Sequence, residues 1–261
     1  MIQDPLVKAG LAPFLAGIAV TLVLFKLRLG GLAAVAGFAL TAWLIGEIQL
    51  EPPAVKRRLV LLALGAPLLG LVIDLAFRPG RTTANILGVV GGCASLWVFG
   101  SLLMQRPPML AFLLGGGIVF FVAWTVAFTA ALANDSVRAG AAALGLGVGV
   151  GGAALALKAT PFWQFGFALA AASAGFLLVQ MLLRRRIDAG LVFCLAAAML
   201  GSLAASATFL NSRLRWIELA ILAFVPLAAR LPLPALYTVA CGGAAAASAY
   251  VASRGWPSWL Q

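Results

Sequence analysis

Runs of about 20 mostly apolar residues recur along the whole chain between short polar breaks, and that is the length an α-helix needs to cross a bilayer's hydrocarbon core. The runs do not alternate polar with apolar residues, so they do not describe the strands of a membrane β-barrel. A backbone surrounded by lipid must satisfy its own hydrogen bonds, which leaves the helix as the remaining solution. The expected fold class is all-α, a polytopic transmembrane helical bundle of about nine or ten spans.

The spans are placed at 6–25, 30–50, 59–77, 86–104, 109–133, 139–157, 161–183, 189–210, 216–229 and 235–252. Two are irregular. The run 139–157 is almost entirely Ala, Gly, Val and Leu, with Gly145, Gly147, Gly149 and Gly151 alternating, so it is long enough to span but weakly hydrophobic. The run 216–229 is short, carries Glu218 near its start, and has Pro226 near its end as a candidate helix break. Removing the spans leaves only connectors, so residues 1–261 read as a single integral membrane domain. Asp4 and a lone Lys8 before the first run make it a first span rather than a cleaved signal.

Composition agrees, at 64% hydrophobic and 10% charged against roughly 25% charged in soluble chains. A net charge of +11 would suggest nucleic acid in a soluble protein, but here the cations are scattered over every connector. Lys and Arg at membrane edges meet anionic headgroups, so the expected partner is the lipid bilayer and not nucleic acid. On a ten-span layout the 18 Lys and Arg divide evenly between the two faces, so they set no orientation. The expected location is a bacterial inner membrane, crossed many times.

Cys93, Cys194 and Cys241 lie in apolar runs without metal-binding spacing, and histidine is absent. That removes the usual proton shuttle, haem ligand and zinc ligand, so no metal and no cofactor are expected. There is no GxxxxGK[ST] run and no serine–histidine–acid set, which argues against an enzyme.

Ionisable groups inside a membrane are costly and therefore candidates for function. Asp74 lies inside the third span with Arg78 four residues on, on one helical face; the pair reads as an interfacial salt bridge or as an ion site. Glu47 and Glu51 share a face at the end of the second span, and read as solvated acids beside the basic run that starts at Lys56. Glu218, close to Arg213 and Arg215, is read the same way. Mid-span polar residues are few: Thr125, Ser173, Ser202 and Ser206.

The run Gly37 to Leu40, with Phe38 and Ala39, recurs at Gly166 to Leu169, and each copy precedes a triple-basic loop. The offset is close to half the chain and is compatible with a five-plus-five inverted repeat with halves 1–133 and 134–261, an arrangement many transporters use. In size and layout the chain is similar to drug/metabolite-type transporters, a likeness of architecture without a shared motif.

The expected function is a small transporter or flippase-like permease for a hydrophobic or lipid-like solute. The alternative is a non-catalytic membrane subunit of a larger complex, since Gly88 with Gly92, Gly115 to Gly117, Gly147 with Gly151, and Ala197 with Gly201 offer faces for partner helices or self-association.

Overall fold

The computed structural model describes residues 7–24, 32–45, 55–76, 80–183, 189–212 and 214–254. Among them there are helices and no strands. A single π-helical stretch, Val7–Leu11, leads into α1 (Ala12–Leu24), followed by α2 (Leu32–Ile45), α3 (Val55–Ala76), α4 (Arg81–Leu103) and α5 (Pro108–Ala130). The second half comprises α6 (Ser136–Ala156), α7 (Phe162–Leu183), α8 (Gly190–Ser212), α9 (Trp216–Ala228) and α10 (Pro234–Arg254). Eight of these, counting Val7–Leu24 as one, are long and apolar enough to cross a membrane, and the chain is a multi-pass integral membrane protein.

Several helices start earlier than hydropathy alone places them, α3 and α4 by the most. α3 takes in Lys56, Arg57 and Arg58, and α4 begins at Arg81 rather than at residue 86. Helical backbone continues into the headgroup layer, where long cationic side chains reach water. Arg58, for example, donates to the Trp97 carbonyl at 3.3 Å and lies over that indole ring.

α8 is the centre of the bundle. It is buried almost throughout, from Leu191 to Thr208, and packs against helices of both halves, most extensively α3 and α5. Its polar residues turn back on their own helix: Ser206 Oγ donates to the Ser202 carbonyl, Thr208 Oγ1 to Ala204 and Asn211 Nδ2 to Ala207. The apolar interior is filled by aromatic and aliphatic side chains, with Phe176 stacked on Phe193 at 4.6 Å between ring centres.

The weakly hydrophobic run is a complete helix, α6, and its alternating glycines resolve into two tracks. A Cβ on Gly145 would stand 2.5 Å from the Thr238 carbonyl, and one on Gly149 would stand 2.9 Å from Gly242 Cα, so these two glycines admit α10. A Cβ on Gly147 would stand 2.7 Å from the Gly166 carbonyl, and one on Gly151 2.9 Å from Phe167 N, so these two admit α7. Alternation along the sequence is thus two interleaved four-residue spacings on two faces. Gly88 and Gly92 admit α5 in the same way, against the carbonyls of Ala123 and Val119. These small-residue faces are occupied by packing within the chain.

Sequential pairs recur in the two halves: α1–α2 with α6–α7, and α4–α5 with α9–α10. Contacts between halves are uneven. α6 packs closely on α10, whereas α1 and α5, their counterparts under the repeat, form at most a marginal contact.

Candidate functional site

α9 shapes the site because it is short. Its 13 residues rise about 20 Å, against a hydrocarbon core of roughly 30 Å. Two hydrogen bonds fix its depth: Cys241 Sγ donates to the Ile221 carbonyl at 3.3 Å, and Trp124 Nε1 donates to Ala223 at 3.1 Å. Ile221 stands one and a half turns into α9, and Cys241 more than three turns before the end of α10. The N-terminus of α9 therefore lies about 12 Å, some two turns, below the level where α10 ends. The indole of Trp216, the first residue of α9, seats directly on Gly117 of α5.

Pro226 does not break α9, which continues through it to Ala228. Proline supplies no N–H for the carbonyl of Leu222, and it crowds the preceding turn. The donors from Cys241 and Trp124 arrive at the carbonyls on either side of Leu222, so neighbouring helices support the backbone where the proline weakens it.

Above the recessed start of α9, the ends of α6, α8 and α10 flank an open cavity of about 930 Å³. Lys158, Arg215 and Arg254 line it with the hydroxyl-bearing Ser212, Tyr250 and Ser253, and among the described residues no acid lines it. Among the described residues none of the three cations forms an ion pair. Arg254 lies over the Tyr250 ring at 4.5 Å.

Lys158 has a backbone conformation rare for a side-chain-bearing residue, with φ of 55°. It ends α6 in a Schellman arrangement: Ala159 N–H donates to the Ala154 carbonyl at 2.8 Å, and Lys158 N–H to Leu155 at 3.0 Å.

Glu218 sits one turn beneath the cavity and is 1% exposed, which corrects its reading as a solvated acid. One carboxylate oxygen accepts from Arg215 N–H at 2.9 Å, and the other accepts from Ser248 Oγ at 2.9 Å. The side chain therefore caps α9 and ties its first turn to α10.

A second cavity, of about 490 Å³, runs between the stretch before α1, α6 and α7, and is lined by Gly10, Leu144, Leu155, Phe167 and Ala174 among other apolar residues. Leu155 lines both cavities. Leu144 and Leu155 are three turns apart on one face of α6, so the groove descends about 16 Å from the level of the basic cavity. At the opposite end of α9 a smaller space of about 270 Å³ holds Arg81, Asn85 and Arg230.

Asp74 is far from this site. Its carboxylate accepts from Val192 N–H at 3.1 Å and so caps the N-terminus of α8 from a neighbouring helix. Gly190, with φ of +68°, brings the chain close beside that carboxylate. An acid there also favours the positive end of the helix dipole. Arg78, Glu47 and Glu51 lie outside the described residues. Asp74→Ala is expected to lower thermal stability in detergent by about 1–2 kcal/mol, and Asp74→Asn, which keeps an acceptor, by less than half of that. Equal losses in the two variants would show that the carboxylate's charge, and not its acceptor for Val192 N–H, is what the fold uses.

Among mid-span polar residues, Thr125 Oγ1 donates to the Phe121 carbonyl and Ser202 Oγ to Met199, while the buried Ser173 hydroxyl has no partner. They are separate and do not form a continuous polar path. Sequence reasoning missed the basic cavity because its cations come from three distant connectors. The one local signal was Arg215 followed three residues later by Glu218, the spacing of a helix cap. No protein-family model matches the chain, and no curated protein matches it in sequence.

Proposed function

We propose that the protein is a small flippase-like permease of a bacterial inner membrane, acting on an amphipathic, lipid-like solute and not as an enzyme. The observation that carries this reading is the meeting at Leu155 of a polar, basic cavity recessed into one end of the bundle and an apolar groove descending along α6. The two spaces match the two parts of an amphiphile, one polar and one apolar. A sealed apolar centre around α8 favours a solute whose chain stays in lipid while its head passes along the protein.

Purification in mild detergent followed by native mass measurement, then reconstitution into vesicles with a fluorescent headgroup-labelled lipid, tests it. The expected result is a lone chain or homo-oligomer that makes inner-leaflet label accessible to an external quencher at least tenfold faster than empty vesicles. A fixed set of partner chains together with no lipid movement would replace this reading with that of a membrane-complex subunit.

A further inference from the structure

We infer that the recessed cavity is a binding site for an anionic, phosphate-bearing lipid, with its head between Lys158, Arg215 and Arg254 and its chain in the groove beside Leu144, Leu155 and Ala174. That the bound lipid is also the molecule moved rests on the permease reading; the site itself stands on geometry and charge.

Cations at membrane edges are ordinary, but ordinary rules would not place all three of these where they stand. Arg254 is the last described residue of α10, where the negative end of a helix dipole favours a cation, and local physics accounts for it. Arg215 is at the opposite kind of position. It is the residue before the first turn of α9, where the helix dipole is positive and disfavours a cation, and it lies about two turns below the end of α10. Among the described residues no ion pair joins Arg215 to Glu218, whose carboxylate accepts from the Arg215 backbone N–H and the Ser248 hydroxyl.

Lys158 breaks a different rule. The position that closes a Schellman arrangement is left-handed and usually glycine, because a side chain there costs about 1 kcal/mol or more. A chain with 29 glycines nonetheless has lysine at this place, and its side chain lines the same cavity as Arg215. Local preferences broken at two separate points that converge on one concavity are the pattern of a site shaped for a ligand.

Charge complementarity selects an anion, and guanidinium with ammonium suits phosphate in particular, through paired and point-charge contacts. Ser212, Tyr250 and Ser253 supply neutral donors beside them. A free anion would leave the adjoining groove without a role. The groove is apolar, shares Leu155 with the cavity and extends about 16 Å along α6 from there, which fits an occupant that carries a chain.

The test uses the full-length protein in nanodiscs of dioleoylphosphatidylglycerol and dioleoylphosphatidylcholine, with retained lipid counted by native mass measurement. Wild type is expected to retain one phosphatidylglycerol in preference to phosphatidylcholine, with retention falling as salt rises. Arg215→Gln is expected to weaken it at least tenfold. Lys158→Gly is the decisive variant, since a purely structural lysine predicts unchanged lipid retention; here retention falls severalfold while the melting temperature holds or rises. Ala174→Phe, which fills the groove without touching a cation, is expected to weaken retention as well.

Equal retention of both lipids, or Arg215→Gln and Lys158→Gly behaving as wild type, overturns the site. Full displacement by inorganic phosphate with no effect of Ala174→Phe makes it a free-anion site and overturns the lipid assignment. The vesicle assay separates the two readings: selective retention without lipid movement leaves the site standing and removes the permease, whereas movement that is indifferent to Arg215→Gln, without selective retention, removes the site alone.

Discussion

Gly147→Leu is expected to abolish recovery of folded protein, and Gly147→Ala to lower stability by about 3 kcal/mol, the upper end of what overpacking usually costs. Even one methyl group on Gly147 would meet the backbone nitrogen of Ala170 and stand 2.7 Å from the Gly166 carbonyl. Those are main-chain atoms of a packed helix, so no rotamer change relieves the clash and α6 must move away from α7. On its adjacent face, α6 is held as closely to α10 through Gly145 and Gly149, so that movement opens a second interface. Close approach is the main source of helix association in lipid, where burial of apolar surface drives little. The controls are Gly100→Ala, Gly116→Ala and Gly243→Ala, positions with open space at the missing Cβ. These are expected to unfold at or slightly above the wild-type temperature, because alanine favours the helix. Fluorescence-detected size exclusion after a heating series measures both groups, and tolerance of Gly147→Leu would show that the α6–α7 contact does not hold the fold.

The same residues show what a sequence can disclose. Spans were legible because lipid imposes a length and a polarity on each helix separately, and the helices observed lie within a few residues of the apolar runs. The run around Gly145 looked weak because hydropathy scores side chains, whereas α6 is held by the absence of side chains and by the neighbours that absence admits. Glu218 was read as solvated for a related reason. Its nearby cations suggested an exposed edge, but α9 starts about two turns below that edge, a displacement set by contacts with α5 and α10. Asp74 stands out in the sequence as a charge within a span, and its partner in the fold is the backbone of Val192, distant in sequence and carrying no side-chain signature. Lys158, Arg215 and Arg254 were visible as three basic connectors, and their convergence depends on where α6, α9 and α10 end relative to one another.

Glu218→Ala is expected to destabilise the protein by about 2–3 kcal/mol, whereas Glu218→Gln should stay within about 1 kcal/mol of wild type. Alanine leaves the Arg215 N–H and the Ser248 hydroxyl without their acceptor at part-buried hydrogen bonds, where water replaces a lost partner only incompletely. Glutamine keeps an oxygen for Arg215 N–H and offers an amide donor to Ser248 Oγ. The loss in the alanine variant is local at first: the first turn of α9 frays, and Arg215 is no longer held in its recess. Lipid retention should therefore fall with Glu218→Ala even at temperatures where the bundle remains folded. Ser248→Ala removes one of the two contacts and should lose about 1 kcal/mol; combined with Glu218→Ala it should add little, giving a coupling of at least about 0.5 kcal/mol in a double-mutant cycle. Additive losses would mean that the two side chains do not act on each other. A Glu218→Gln variant of wild-type stability that no longer moved lipid would make the carboxylate's charge, rather than its hydrogen bonds, the element that the proposed lipid movement uses.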